Sequence, residues 1–193
     1  FNLLTSINFR LLNKKNYKSK KKKIAIQYLK PHSHPLSDHW WANNLNFNNE
    51  YFILGKGSNV VFSDNNYEGI VIQNKMENID TVFTNDSINV DAGVYLPNLS
   101  RYLKDSERTG GEYLLGIPGT VGGAIKMNAG CYGYEFMDSV NFLTYFDTVD
   151  KKIKNINRKN IKYSYRNTEI KNAIILSANL SFIKEDPKKI NNK

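Results

Sequence analysis

Short apolar runs dominate the chain, and glycine, proline or asparagine bounds most of them. Tyr51-Phe52-Ile53-Leu54 and Gly69-Ile70-Val71-Ile72 read as buried strands, because each is a compact apolar run ending in turn residues. Ile24 to Leu29 alternates enough for another strand, ended by Pro31, and Ile7-Asn8-Phe9-Arg10 is a weaker first strand. Gln73 to Asn78 reads as a connector. Val82-Phe83 and Ile88 to Asp91 are expected to pair, closed by Ala92-Gly93. Pro97 then opens a helix on which Leu96, Leu99 and Leu103 recur at helical spacing. Arg101 and Lys104 fall on its wet face, and Gly110-Gly111 stops it. A second, short helix is expected through His39 to Leu45, capped by Ser37 or Asp38.

The pattern changes toward the C-terminus. Val140, Phe142, Thr144 and Phe146 alternate with Asn141, Leu143 and Tyr145, which predicts a strand with both faces partly covered. Asp150-Lys151 turns the chain into a hairpin return over Ile153 to Ile156. Ala173 to Leu176 and Leu180 to Phe182 form the last strand, and Pro187 is expected to end order, leaving Lys188 to Lys193 loose. Short strands with few helices predict an α+β fold without internal repeats.

Two glycine-rich stretches interrupt this pattern. The first follows the Tyr51–Leu54 strand directly and reads Gly55-Lys56-Gly57-Ser58-Asn59. Its amides, hydroxyl and carboxamide can all donate to phosphate oxygens. It is neither a Walker loop nor the Gly-x-Gly-x-x-Gly of a Rossmann turn. The second runs from Glu112 to Gly133 and carries six glycines among small and apolar residues. There Pro118 fixes a turn, and Thr120 is placed to cap a helix starting at Val121. A helix start behind a glycine turn predicts an anion site, since free amides and the helix dipole point the same way.

Composition narrows the field less than the loops do. Lys+Arg 27 against Asp+Glu 18 gives a net charge of +9, which raises the question of nucleic acid. Much of the excess is local, at Lys14, Lys15, Lys18 and Lys20 to Lys23, and again in the tail. It also lacks the interleaved aromatics of a base-stacking surface, so no nucleic-acid partner is expected. The single cysteine, Cys131, rules out an intrachain disulfide and suits a reducing compartment; its context supplies no charge partner, so it reads as a small buried residue. No apolar stretch reaches the length of a membrane span. His32, His34 and His39 have no carboxylate or cysteine at ligand spacing, and no metal site is expected.

Taken in order, Gly-Lys-Gly-Ser-Asn, Gly-Ile-Pro-Gly-Thr-Val-Gly-Gly-Ala, Asn-Ala-Gly-Cys-Tyr-Gly and Tyr-Arg resemble the UDP-N-acetylenolpyruvoylglucosamine reductases, flavoenzymes of peptidoglycan precursor synthesis. The resemblance covers Tyr51 to Ile183 well and the first fifty residues poorly. It implies a two-lobed FAD-binding domain of the vanillyl-alcohol-oxidase and p-cresol-methylhydroxylase type. Residues 1–74 would form the first lobe (1–23 basic and poorly ordered in part), 75–185 the second, and 186–193 a basic tail. It implies FAD as cofactor, NADPH as electron donor, a UDP-sugar substrate in a complete enzyme, a monomer, and a cytoplasmic, cell-wall-building role; organellar targeting by the basic N-terminus is a further option.

By the same resemblance, Gly55, Lys56, Gly57, Ser58 and Asn59 would hold the pyrophosphate. Gly116, Ile117, Pro118, Gly119, Thr120, Gly122, Gly123 and Ala124 would clamp the dinucleotide from the other side. Asn128, Gly130, Tyr132 and Gly133 would face the ring edge or ribityl chain. Arg166 would stabilise the enolate formed when hydride reaches the enolpyruvyl group, a role that suits a planar, permanent cation. Asn167-Thr168 departs mildly from the acid-serine pair that often follows. The family's third domain, with its proton-donating serine and late glutamate, has no counterpart in these residues, so the expectation is a truncated reductase. A decayed or non-catalytic flavin-binding domain, and another FAD-linked oxidase of the same fold, remain alternatives.

Overall fold

In the computed structural model, residues 10–11, 25–29, 51–61, 70–80 and 82–190 are described. The expected strand start at Ile7, the lysine run at 14–23, the three histidines and the helix at 39–45 lie outside them.

Four strands build a first sheet: β1 (Arg10–Leu11), β2 (Ala25–Leu29), β3 (Tyr51–Leu54) and β4 (Ile70–Asn74), in the order β1-β2-β4-β3. β4 runs parallel to both β2 and β3, and β1 closes the sheet antiparallel. The connector expected from Gln73 onward in fact starts later. Gln73 and Asn74 stay in the ladder opposite Tyr28 and Leu29, because Asn74 is buried and donates to the Ile175 carbonyl at 3.1 Å.

Next come β5 (Ser87–Asp91), helix α1 (Leu96–Asp105), β6 (Arg108–Thr109), helix α2 (Val121–Met127), and the pair β7 (Gly130–Cys131) and β8 (Tyr134–Glu135). They are followed by β9 (Val140–Asp147), β10 (Lys152–Asn157), β11 (Tyr163–Ser164), β12 (Asn167–Thr168), β13 (Ala173–Ser181), β14 (Ile183–Lys184) and a one-turn helix α3 (Pro187–Ile190). A second sheet has the order β10-β9-β13-β5 and is antiparallel throughout. Val82-Phe83 does not pair with β5. β13 takes one edge of β5, with Val90 opposite Ala178, and the other edge is bridged by Ile79 opposite Val90 and Thr84 opposite Ser87, leaving Val82 between the bridges and exposed.

α1 begins as the proline predicts, and Leu96, Leu99 and Leu103 are all buried. It ends at Asp105 with Ser106 as cap, short of the glycine pair, since Glu107 already takes a left-handed φ of 56°. The tail also differs from expectation: Pro187 starts α3, whose Ile190 is buried against the rest of the domain.

The main core lies between the second sheet and the helices, with Leu99, Leu103, Val121, Ile125, Phe136 and Leu143 at its centre. Full burial of side chains of this size contributes about 1.5–3 kcal/mol each. A smaller cluster of Ile72, Phe146, Ile174 and Leu176 joins the sheets, backed by the Asn74 bond and by Ala92 N–H donating to the Leu176 carbonyl at 2.8 Å.

Candidate functional site

The first glycine loop leaves the end of β3. Gln73 at the end of β4 holds its first residue, donating through Nε2 to the Gly55 carbonyl at 3.0 Å. Gly57 takes φ 78°, a conformation that side chains resist, so the turn depends on glycine there. Lys56, Gly57, Ser58 and Asn59 are exposed, and among the described residues their amides have no backbone acceptor. Lys56 Nζ lies 3.3 Å from Glu77 and 5.7 Å from the Tyr95 ring centroid.

The second loop meets the first directly. A Cβ on Gly55 would sit 2.6 Å from Thr120 Oγ1, and one on Gly119 would sit 3.7 Å from Ser58 Oγ. Thr120 is the N-cap of α2, as its position predicts, and accepts from Gly123 N–H at 3.3 Å. The expected anion site at that helix start does not form. Val121 N–H donates to the Val94 carbonyl (2.9 Å), Gly122 N–H to Ala92 (2.7 Å) and Ala124 N–H to Thr120 (2.8 Å), so the first-turn amides are taken up inside the protein. Gly122 is glycine because Ala92 presses on it, with its Cβ only 3.0 Å from where a Gly122 Cβ would be.

Gly116 differs. A Cβ there would meet nothing within 4 Å, and its φ is not left-handed. Gly119 and Gly123 are nearly as open, with nearest atoms at 3.7 and 3.5 Å. Neither packing nor backbone asks for glycine at these three positions. Gly116 and Pro118 are exposed, with half-buried Ile117 between them.

At the far end of α2 the predicted residues divide. Ala124 is buried and faces inward. Asn128 caps the helix in the left-handed region and is also buried; its carboxamide is not open to a ligand. It donates to Glu135 Oε2 (2.9 Å) and the Ser164 carbonyl (3.0 Å) and accepts from Met137 N–H (3.2 Å). Gly130 admits the close passage of the Tyr134 carbonyl, 2.1 Å from where its Cβ would lie. Tyr132 and Gly133 form the two-residue tip of the β7–β8 hairpin, both with positive φ, and Tyr132 is almost fully exposed. Tyr134 stacks on buried Tyr113, whose hydroxyl is pushed up in pKa chiefly by burial. Cys131 is half-buried and its thiol donates to the Tyr113 carbonyl at 3.5 Å.

Arg166 sits in the two-residue tip between β11 and β12 with φ 57°. Its Nη2 donates to the Gly130 carbonyl at 2.7 Å, and its guanidinium lies 5.4 Å from the Tyr165 ring centroid. The phosphate-type loop thus touches one end of α2 and the cation the other, separated by a seven-residue helix, a rise of about 10 Å. Gln73, Tyr95, Glu77 and Glu135 are neighbours that sequence reasoning missed; no motif marks them, and only the strand end at Gln73 hinted at a loop contact. Among the described residues, no group of three His, Cys, Asp or Glu is placed to hold a metal, and no helix is long and apolar enough to cross a membrane.

Residues 41–154 match a family described as FAD binding domain. The UDP-N-acetylenolpyruvoylglucosamine reductase of Fusobacterium nucleatum is 36% identical over 137 residues, covering 70% of this chain and 48% of that protein. The enzyme of the same name from Francisella tularensis is 38% identical over 143 residues, 72% of this chain and 50% of that one. The chain spans about half the length of the curated relatives it matches. In fold it is similar to the solved UDP-N-acetylenolpyruvylglucosamine reductase of Thermus caldophilus, with TM-score 0.74 and 24% identity over 88% of this chain and 59% of that one.

Proposed function

Because this chain belongs to the family of FAD binding domains, we propose that it is the flavin-holding part of a reductase acting on an enolpyruvyl UDP-sugar. NADPH would be the electron donor and UDP-N-acetylmuramate the product, in cytoplasmic cell-wall precursor synthesis. The relatives carry that activity in their names, and four ordered motifs of this chain resemble those of that family. We take residues 1–74 and 75–185 as the two lobes of the vanillyl-alcohol-oxidase type, working as a monomer.

The observation that carries the proposal is the meeting of the two glycine loops over Thr120, with Gly116, Gly119 and Gly123 open for no internal reason. The exposed amides of Lys56 to Asn59, together with Ser58 and Asn59 side chains, would take the pyrophosphate. Lys56 adds a positive charge there; its ion pair with Glu77 is exposed and exchangeable. The open face at Gly116 to Gly119 would lie against the cofactor. When bound, FAD supplies a hydride-transferring centre that side chains alone lack.

Arg166 would serve the acceptor. A guanidinium keeps its charge at all working pH values, and its planar fork matches a carboxylate or an enolate. Held against the Gly130 carbonyl, it stands ready at the end of α2 to stabilise negative charge that grows in the transition state. The Tyr165 ring lies beside it, its centroid 5.4 Å from the guanidinium carbon.

The test is a visible absorption spectrum of the protein after FAD is added and excess removed. A retained flavin band is expected. A folded protein that stays colourless would overturn the proposal. Arg166→Ala is expected to keep the band and, in the full chain, to lower NADPH-driven reduction of the enolpyruvyl substrate by about 100-fold or more; loss of flavin in that variant would refute the assigned role.

A further inference from the structure

We infer that Asn128 is the positioning residue for Arg166. Its carboxamide holds the strand just before the tip of the Arg166 hairpin and so fixes where the guanidinium stands relative to the glycine loops. The inference rests on the reading of Arg166 as the cation beside the flavin.

The hairpin cannot hold itself. β11 and β12 pair at only two positions, Tyr163 with Thr168 and Ser164 with Asn167, and so short a ribbon is not stable alone. Its contacts to the rest of the domain decide where it sits. Thr168, itself buried, donates through Oγ1 to the Lys126 carbonyl at 3.0 Å and so ties the second strand to α2, while the exposed Lys126 Nζ donates to the Ile170 carbonyl at 2.7 Å. Arg166 makes its own bond to Gly130, but a side chain that must turn to a substrate charge cannot also be its own anchor. On the strand that leads into the tip the buried anchor is Asn128, 1% exposed, whose Nδ2 reaches the Ser164 carbonyl one residue before the tip.

The carboxamide has no freedom to flip. Met137 N–H requires an acceptor and meets Oδ1, while the Glu135 carboxylate and the Ser164 carbonyl require donors and meet Nδ2. Helix C-caps in the left-handed region usually carry glycine, which would satisfy the backbone at φ 41° equally well. Glycine would leave the Ser164 carbonyl, the Glu135 carboxylate and the Met137 amide without these partners. Asparagine combines the cap with three bonds that tie the helix end, the β7–β8 hairpin and the Arg166 hairpin together.

An exchange of the pair tests this. Asn128→Asp keeps the size and the left-handed tolerance but places an acceptor against both Glu135 and Ser164. Adding Glu135→Gln restores a donor–acceptor pair between 128 and 135, yet still leaves the Ser164 carbonyl without its donor. Thermal unfolding reads the whole domain. Amide hydrogen exchange at Tyr163 to Glu169 reads the hairpin, and the midpoint potential of bound flavin reads the charge. Asn128→Asp is expected to lower Tm and to speed hairpin exchange about tenfold. In the double variant Tm is expected to recover while hairpin exchange stays fast and the potential stays below that of the parent. Hairpin protection that recovers along with Tm, or that never changes in Asn128→Asp, would overturn the inference. Exchange and Tm need no flavin, so a protein that fails to bind FAD defeats the functional proposal and leaves this test decisive.

Discussion

The two glycine loops have similar compositions and opposite physical situations. In Gly55 to Asn59 the residues after the first are exposed, their amides have no backbone acceptor among the described residues, and one glycine is demanded by a left-handed turn. In Gly116 to Ala124 the helix-start amides are bonded to the 92–94 turn and to the Thr120 cap. Glycine there does two jobs: Gly122 lets Ala92 close in, while Gly116 leaves a surface bare. A glycine-rich helix start is therefore not by itself an anion site. What matters is whether tertiary structure has already used its donors.

That contrast is most sharply drawn by valine at Gly122 and at Gly116. Gly122→Val forces a branched side chain into the space of Ala92 and is expected to cost about 1–3 kcal/mol, lowering Tm by roughly 5 °C. Gly116→Val is expected to leave Tm within about 1 °C and to weaken FAD binding at least tenfold, measured by flavin fluorescence quenching. Equal FAD affinity in Gly116→Val and the parent would erase the proposed open face. At the first loop, Gly57→Ala should weaken FAD binding about fivefold with a smaller loss of stability, because the left-handed turn is strained by a Cβ by about 1 kcal/mol.

Thr120→Ala removes the cap and the hydroxyl that packs on Gly55, so both loops loosen. A loss of about 1 kcal/mol and a Tm lower by about 3 °C are expected, with FAD affinity reduced less than in Gly116→Val. The smallest effect lies away from both loops. Asp147 is lowered in pKa to about 2, first by its hydrogen bond to Lys154 and then by the Asp150 and Val149 amides. A carboxyl lowered on folding stabilises above its unfolded value of about 3.9 and loses that contribution as pH falls toward 2. Tm measured against pH should thus separate Asp147→Asn from the parent by about 1–2 °C near neutrality, with the gap narrowing as pH falls and closing below the folded pKa of about 2. A gap that does not narrow between neutrality and that pH would mean the carboxylate is not the cause.

Much of the frame was legible because local patterns agreed with the final packing. The strand at Tyr51 to Leu54, the alternation from Val140 to Phe146, the proline start of α1 and the Thr120 cap all appear where periodicity and capping chemistry put them. Val82-Phe83 misled because apolar character alone does not choose a partner; the residues that bridge to β5 from that segment are Ile79 and Thr84, on either side of the apolar pair. The end of β4 misled because Gln73 and Asn74 look like loop residues until a carbonyl at Ile175 and another at Gly55 give their amides a use. Pro187 looked like an end of order, yet proline is also a good first residue for a helix, and Ile190 found an apolar surface to cover.

By itself, then, the chain's order of residues determined the elements that local chemistry specifies: apolar runs as strands, a capped glycine helix, and the motifs that point to a flavin. The tertiary structure alone decided which of those donors are used inside the protein. The α2 amides donate to Val94 and Ala92, Asn128 turned inward to bond Ser164, and the Lys56 to Asn59 amides have no backbone acceptor among the described residues. The reason is that a hydrogen-bonding group carries no mark of its partner in sequence. Only the arrangement of distant segments settles whether a neighbour or a ligand will satisfy it.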